Sequence, residues 1–217
     1  MHNHNGHRKR LREKFRKGSL EEHETVELLL QFFIPRVNTN EQAHELIESS
    51  GGFCEMFTRS EKSLRKVKGI GETSALGIRV TADIIRRYCL SECDTSCIFK
   101  DEIELHKFLR AIYIGECEEI GYMLMFSAKG KFLGAERIGE GLRSQADISV
   151  KRALSLAYEA KSDSVIIAHN HPDGIQAPSD VDIETAEKLN VAFGNAGINI
   201  LRHFVVAGGK CISFSKN

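Results

Sequence analysis

Over residues 7–88 the apolar positions recur with a helical period. HRKRLREKFRK (7–17) is amphipathic through Leu11 and Phe15, and SLEEHETVELLLQFF (19–33) opens with Ser19-x-x-Glu22, a capping signal. TNEQAHELIES and GETSALGIRVTADIIRRY read as two further helices. The polar, irregular stretch SECDTSCIFK (91–100) is the candidate linker, and beyond it the pattern changes. EIELHKFLRAI reads as a helix, and EIGYMLMFS and KFLGAERIG are strand-like runs that meet at Ala-Lys-Gly. VKRALSLAYEAK is a helix, DSVIIAH a strand buried on both faces, and SDVDIETAEKLNVAF a helix. INILRHFVVAG and KCISFSK form a terminal hairpin around Gly208-Gly209. The predicted class is therefore α+β: an all-α region over 1–90, a linker over 91–100, and a mixed α/β domain over 101–217.

Composition narrows this picture only slightly. Of the 217 residues, 41% are hydrophobic and 28% charged, which fits a globular protein and excludes wholesale disorder. The N-terminus is polar and basic with no apolar h-region, and the longest apolar run, VELLLQFFI, is too short to span a bilayer. A cytoplasmic protein with no membrane partner is expected. Cys54, Cys89, Cys93, Cys97, Cys117 and Cys211 include no C-x-x-C pair and read as free thiols. Residues 1–90 hold 16 Lys and Arg against 12 Asp and Glu, so the neutral total conceals a basic first region and an acidic second one. A basic excess suits a polyanion, although a solvated helix face explains it equally well.

LRKVKGIGETSALGI (64–78) predicts a tight helical hairpin: a helix ending near Lys66, a Gly-Ile-Gly turn, and a second helix opening at Glu72. Gly69 and Gly71 free the backbone for the turn and leave N–H groups at a helix N-terminus, where a phosphate can sit beside Lys68. Ile70 would plug the hairpin core. The stretch resembles the helix-hairpin-helix motif, which implies non-specific DNA binding through Lys68, Gly69 and Gly71. A protein-docking hairpin is the other reading.

AHNHPDGIQAPSDVD (168–182) carries the strongest chemistry. In an extended chain, side chains two apart project to one side, so His169 and His171 can converge on one ion. Pro172, Asp173 and Gly174 then turn the chain, and Asp182, in the first turn of the next helix, can fold back as a third ligand. Two imidazoles and a carboxylate suit Zn²⁺ with a position left for water. The plainer alternative is a strand, a turn, and a helix capped by Ser179-x-x-Asp182.

His169, His171, Pro172, Ser179 and Asp182 match the motif of JAMM (MPN-type) metalloproteases, and AHNHPDGIQAPSDVD resembles the version found in the RadC family. That family joins a helix-hairpin-helix-like region to a JAMM domain of cytidine-deaminase-like fold, and Gly6-His7-Arg8 also fits it. This chain departs from the family in three places. Asp173 replaces a usual Ser, GEGLRSQADIS (139–149) is shortened and lacks a Pro-Arg pair, and Arg202 precedes His203 where Asp is common. The resemblance implies hydrolysis of peptide or isopeptide bonds with zinc on His169, His171 and Asp182, Ser179 stabilising an oxyanion, and an upstream glutamate as general base. Glu136 is the better match for that base, with Glu140 as the alternative. A DNA-associated accessory protein with a structural or vestigial metal site is the rival function. An HNH nuclease draws its histidines from separate elements, and a zinc deaminase would need P-C-x-x-C, so neither fits.

Overall fold

A computed structural model describes residues 4–98, 100–140 and 149–214. The chain divides into two compact units, residues 1–85 and 86–217.

The first unit is helical: α1 (His4–Arg16), α2 (Glu22–Phe33), α3 (Asn40–Ser50), the short α4 (Phe53–Met56) and α5 (Glu61–Leu64), and most of α6 (Glu72–Ser91). Val26, Leu30, Leu46, Met56, Leu64, Ile70 and Ile78 make its core. The capping box before α2 is Glu21 with Glu24, two positions beyond the start that Ser19 signalled; the Ser19 hydroxyl instead donates to the Lys14 carbonyl at the end of α1. Glu27, with no solvent exposure, is held by His7 Nε2 at 2.7 Å and Asn40 Nδ2 at 3.1 Å. Arg8 donates to the carbonyls of Ile34 and Val37. His7 and Arg8 thereby fasten α1 along α2 and its exit, where a buried carboxylate needs partners to be tolerated. In the predicted hairpin, Gly69 adopts φ 90°, Ile70 is buried, and Lys68 is exposed. Gly71 is not left-handed and has open space where a Cβ would sit.

The second unit carries α7 (Glu102–Ile112), β1 (Ile120–Phe126), β2 (Phe132–Glu140), α8 (Val150–Glu159), β3 (Ser164–Asn170), α9 (Asp180–Asn195), β4 (Asn199–Ala207) and β5 (Lys210–Phe214). The strands form one sheet in the order β2-β1-β3-β4-β5. Only β3 and β4 are parallel, joined through α9; the other neighbours are antiparallel. Leu105, Phe108 and Leu109 of α7 pack with Tyr122, Leu124, Ile166 and Phe204 on one face. Ala153 and Ala157 of α8 and Leu189 and Phe193 of α9 pack with Met123, Met125, Val165 and Ile167 on the other. Covered on both faces, β1 and β3 are buried along almost their whole length, as the apolar run before His169 predicts for β3. The β4–β5 hairpin turns on Gly208 (φ 54°) and Gly209 (φ 72°), the left-handed pair that a two-residue turn of right-handed twist demands.

The 91–100 stretch belongs to this second unit. Ile98, only 1% exposed, enters the α7-side core with Leu90 and Cys93 alongside, and Lys107 donates to the Glu92 carbonyl. Among the described residues, no helix is long and apolar enough to cross a membrane. Most of the shortened segment 139–149, namely residues 141–148, lies outside the described residues.

Candidate metal centre

β3 and the start of α9 build the centre. The His171 N–H donates to the Val206 carbonyl, carrying the β3–β4 ladder one step past the end of β3. Extended backbone through this step puts both imidazoles on the α9 side of the sheet, with His169 Nε2 3.1 Å from His171 Nε2. The Pro-Asp-Gly turn fixes the second ring. Gly174 (φ 84°) donates to the His171 carbonyl, and Asp173 Oδ1 accepts the Ile175 N–H at 3.1 Å. The Ile175 carbonyl, so placed, accepts from His171 Nδ1 at 2.7 Å. A proton held on Nδ1 leaves Nε2 with a free lone pair, the tautomer a metal ligand requires. Asp173 closes its turn as a serine could, so an aspartate here keeps the local geometry.

Ser179 caps α9. Its hydroxyl accepts from the Asp182 N–H at 3.2 Å and donates to Asp182 Oδ2 at 2.7 Å, and the Ser179 N–H donates to the same oxygen. The capping reading of Ser179-x-x-Asp182 holds, and the capping box also aims the carboxylate at the histidines. Asp182 Oδ1 lies 3.2 Å from His169 Nε2, and Oδ2 lies 3.5 Å from His171 Nε2. Burial works against the Asp182 charge, yet hydrogen bonds from His169, His171 and Ser179 hold its carboxyl well below the usual range. The same bond, accepted by Asp182, raises the pKa of His171.

The structure adds Glu119, at the entrance to β1. Its Oε1 is 3.8 Å from His171 Nε2, and the ligand atoms of Glu119, His169, His171 and Asp182 all lie within 4.8 Å of one another. Burial raises the Glu119 pKa, and the two histidines only partly offset this. Glu136 is not brought to the cluster. It stands exposed on the edge strand β2, opposite Met123, whereas His169 stands opposite Gly121. The cause is strand order: β1 borders β3 and β2 does not, so a carboxylate entering β1 arrives beside the histidines. Glu140 is in register with Ile120, and its side chain lies outside the described residues. Lys68, Gly69 and Gly71 belong to the helical unit, outside this cluster.

The donor set suits a divalent metal. Bonds of about 2.1 Å in a tetrahedron place ligand atoms about 3.4 Å apart, close to the 3.1, 3.2 and 3.5 Å found among His169, His171 and Asp182.

A mixed sheet sandwiched by helices, with a His-x-His strand end facing a capped Asp, defines a domain of the JAB/MPN type. The chain belongs to the family of the RadC-like JAB domain, which it matches over residues 99–217. It is 26% identical to a UPF0758 protein of Pseudoalteromonas translucida over 96% of this chain and 93% of that one. A UPF0758 protein of Polaromonas is 24% identical over 92% and 89%, and one of Idiomarina loihiensis 26% over 80% and 78%.

Proposed function

We propose that the protein is a zinc-dependent hydrolase of peptide or isopeptide bonds, with His169, His171 and Asp182 as ligands and Glu119, rather than Glu136, as proton carrier. The observation that carries this reading is the half-buried Glu119 carboxylate, with its raised pKa, beside three ligand atoms already gathered. Zinc in such a site supplies a Lewis acid that acidifies water and polarises a carbonyl. Glu119 takes the proton from the attacking water and returns it to the departing amine, for which a pKa raised towards neutrality is suited. Ser179 keeps Asp182 in place and, turning its hydroxyl from that carboxylate to the substrate, would donate to the oxyanion.

Full-length protein loaded with zinc provides the test. Glu119→Gln should retain the metal and lose ~10²–10⁴ in turnover, whereas Asp182→Asn should lose metal and turnover together. Glu136→Gln serves as control. Dead Glu136→Gln beside active Glu119→Gln would return the role to the edge strand.

A second role is favoured by one feature of the helical unit: Arg65, Lys66 and Lys68 are all exposed beside the left-handed Gly69. This suits weak, sequence-independent duplex DNA binding that fades with salt and is weakened by Lys68→Glu. No binding at low ionic strength would leave the hairpin as a protein-docking element.

A further inference from the structure

Asn170 separates the two histidine ligands, and strand alternation turns its side chain away from them, towards the α7-covered face. It is only 4% exposed. A buried amide in that position must find partners or forfeit its hydration. It finds two on β1 and its entrance: Oδ1 accepts from the Ile120 N–H at 2.8 Å, and Nδ2 donates to the Glu118 carbonyl at 3.0 Å. One partner can only donate and the other can only accept, so the orientation of the amide is fixed by chemistry.

Those two backbone groups flank Glu119 on either side. The β1–β3 pairing ends at Gly121 opposite His169, so on this side Glu118–Ile120 lies beyond the last pair. The Asn170 side chain takes over where that ladder stops. We propose that Asn170 is a positioning residue: it clamps the backbone around Glu119 and so sets this carboxylate against the metal held by its own sequence neighbours. Alanine or serine cannot reach both groups, and aspartate accepts from one but cannot donate to the other. The middle residue of His-Asn-His thus couples the ligand strand to the proton carrier, so that one short segment sets both parts of the centre. The inference rests on the hydrolase reading only where turnover is measured.

The test compares wild type, Asn170→Ala, Asn170→Asp and Glu119→Gln as full-length proteins. Each is loaded with zinc for kinetics on a random quenched-fluorescent peptide library, and with cobalt for visible absorption. Asn170→Ala should bind one metal per chain as wild type does, lower kcat by about 10–100-fold with KM little changed, and shift the cobalt spectrum towards that of Glu119→Gln. Asn170→Asp, which keeps size and one acceptor, should move both readouts in the same direction and decides the matter if Asn170→Ala does not fold. Wild-type kcat and spectrum in these variants would overturn the proposal. So would parallel loss of metal and activity, which would make Asn170 a support of β3 alone. Coincident cobalt spectra of wild type and Glu119→Gln would overturn it too, since Asn170 would then have no route to the metal. If zinc-loaded wild type releases no amine from the library, the hydrolase reading fails while the cobalt spectra still decide Asn170.

Discussion

His203 should make this protein lose stability in mild acid. Its ring lies on β4, 3% exposed and tilted against the Phe214 ring, with Nε2 donating to Asn190 Oδ1 at 3.0 Å. Burial, assisted by the nearby His169, lowers its pKa from 6.5 to about 4. Unfolded chains take up the proton below 6.5, but the folded protein does so only near 4. Protons therefore favour unfolding within that window: the contribution is complete above pH 6.5 and is lost as pH falls towards 4. The difference between the two values corresponds to about 3 kcal/mol. Urea unfolding in the presence of a chelator, at steps from pH 7.5 to 4, would measure it. Tyrosine emission is a selective probe, because the chain has no Trp and its four Tyr, at 88, 113, 122 and 158, all lie in the second unit. Burial raises the Glu119 pKa and Asp182 raises that of His171, so other groups also contribute and the decisive quantity is the difference between wild type and His203→Gln. Wild type should lose about 3 kcal/mol more than the variant across the window. Parallel profiles would refute the reasoning.

Two further outcomes follow from the polar clusters. Zinc uptake should release protons and weaken as pH falls, beginning above the ordinary imidazole midpoint, because Asp182 raises the His171 pKa; calorimetry in buffers of different ionisation enthalpy would read this, and pH-independent uptake would oppose it. Glu27→Ala, which strips His7 and Asn40 of their buried partner, should cost the helical unit about 3 kcal/mol by circular dichroism. A loss under about 0.5 kcal/mol would mean that the cluster contributes little.

Much of this protein was determined along the chain itself. Period and punctuation place the longer helices and the strands to within a few residues, though not the short α4, since amphipathic stripes, doubly buried runs and the Gly208-Gly209 turn are local consequences of side-chain chemistry. His169, His171 and Asp182 were equally legible: two are neighbours on one strand and the third follows after a turn, so their convergence needs only local geometry. Glu119 was not. It sits in front of the apolar run IGYMLMF, and nothing within that run says that β1 pairs with β3 on its other side. KFLGAERIG offered a carboxylate with the right local pattern, and strand order sent it to the sheet edge. Ser19 marked a helix start that Glu21 and Glu24 provide, because competing caps within a few residues differ by less energy than tertiary contacts supply. The Asn170 bridge to Glu118 and Ile120 spans about fifty positions of sequence and depends wholly on the antiparallel β1–β3 pairing. The gathering of His169, His171 and Asp182 is written locally in this chain; which carboxylate and which amide stand beside them was decided by the order of strands in the sheet.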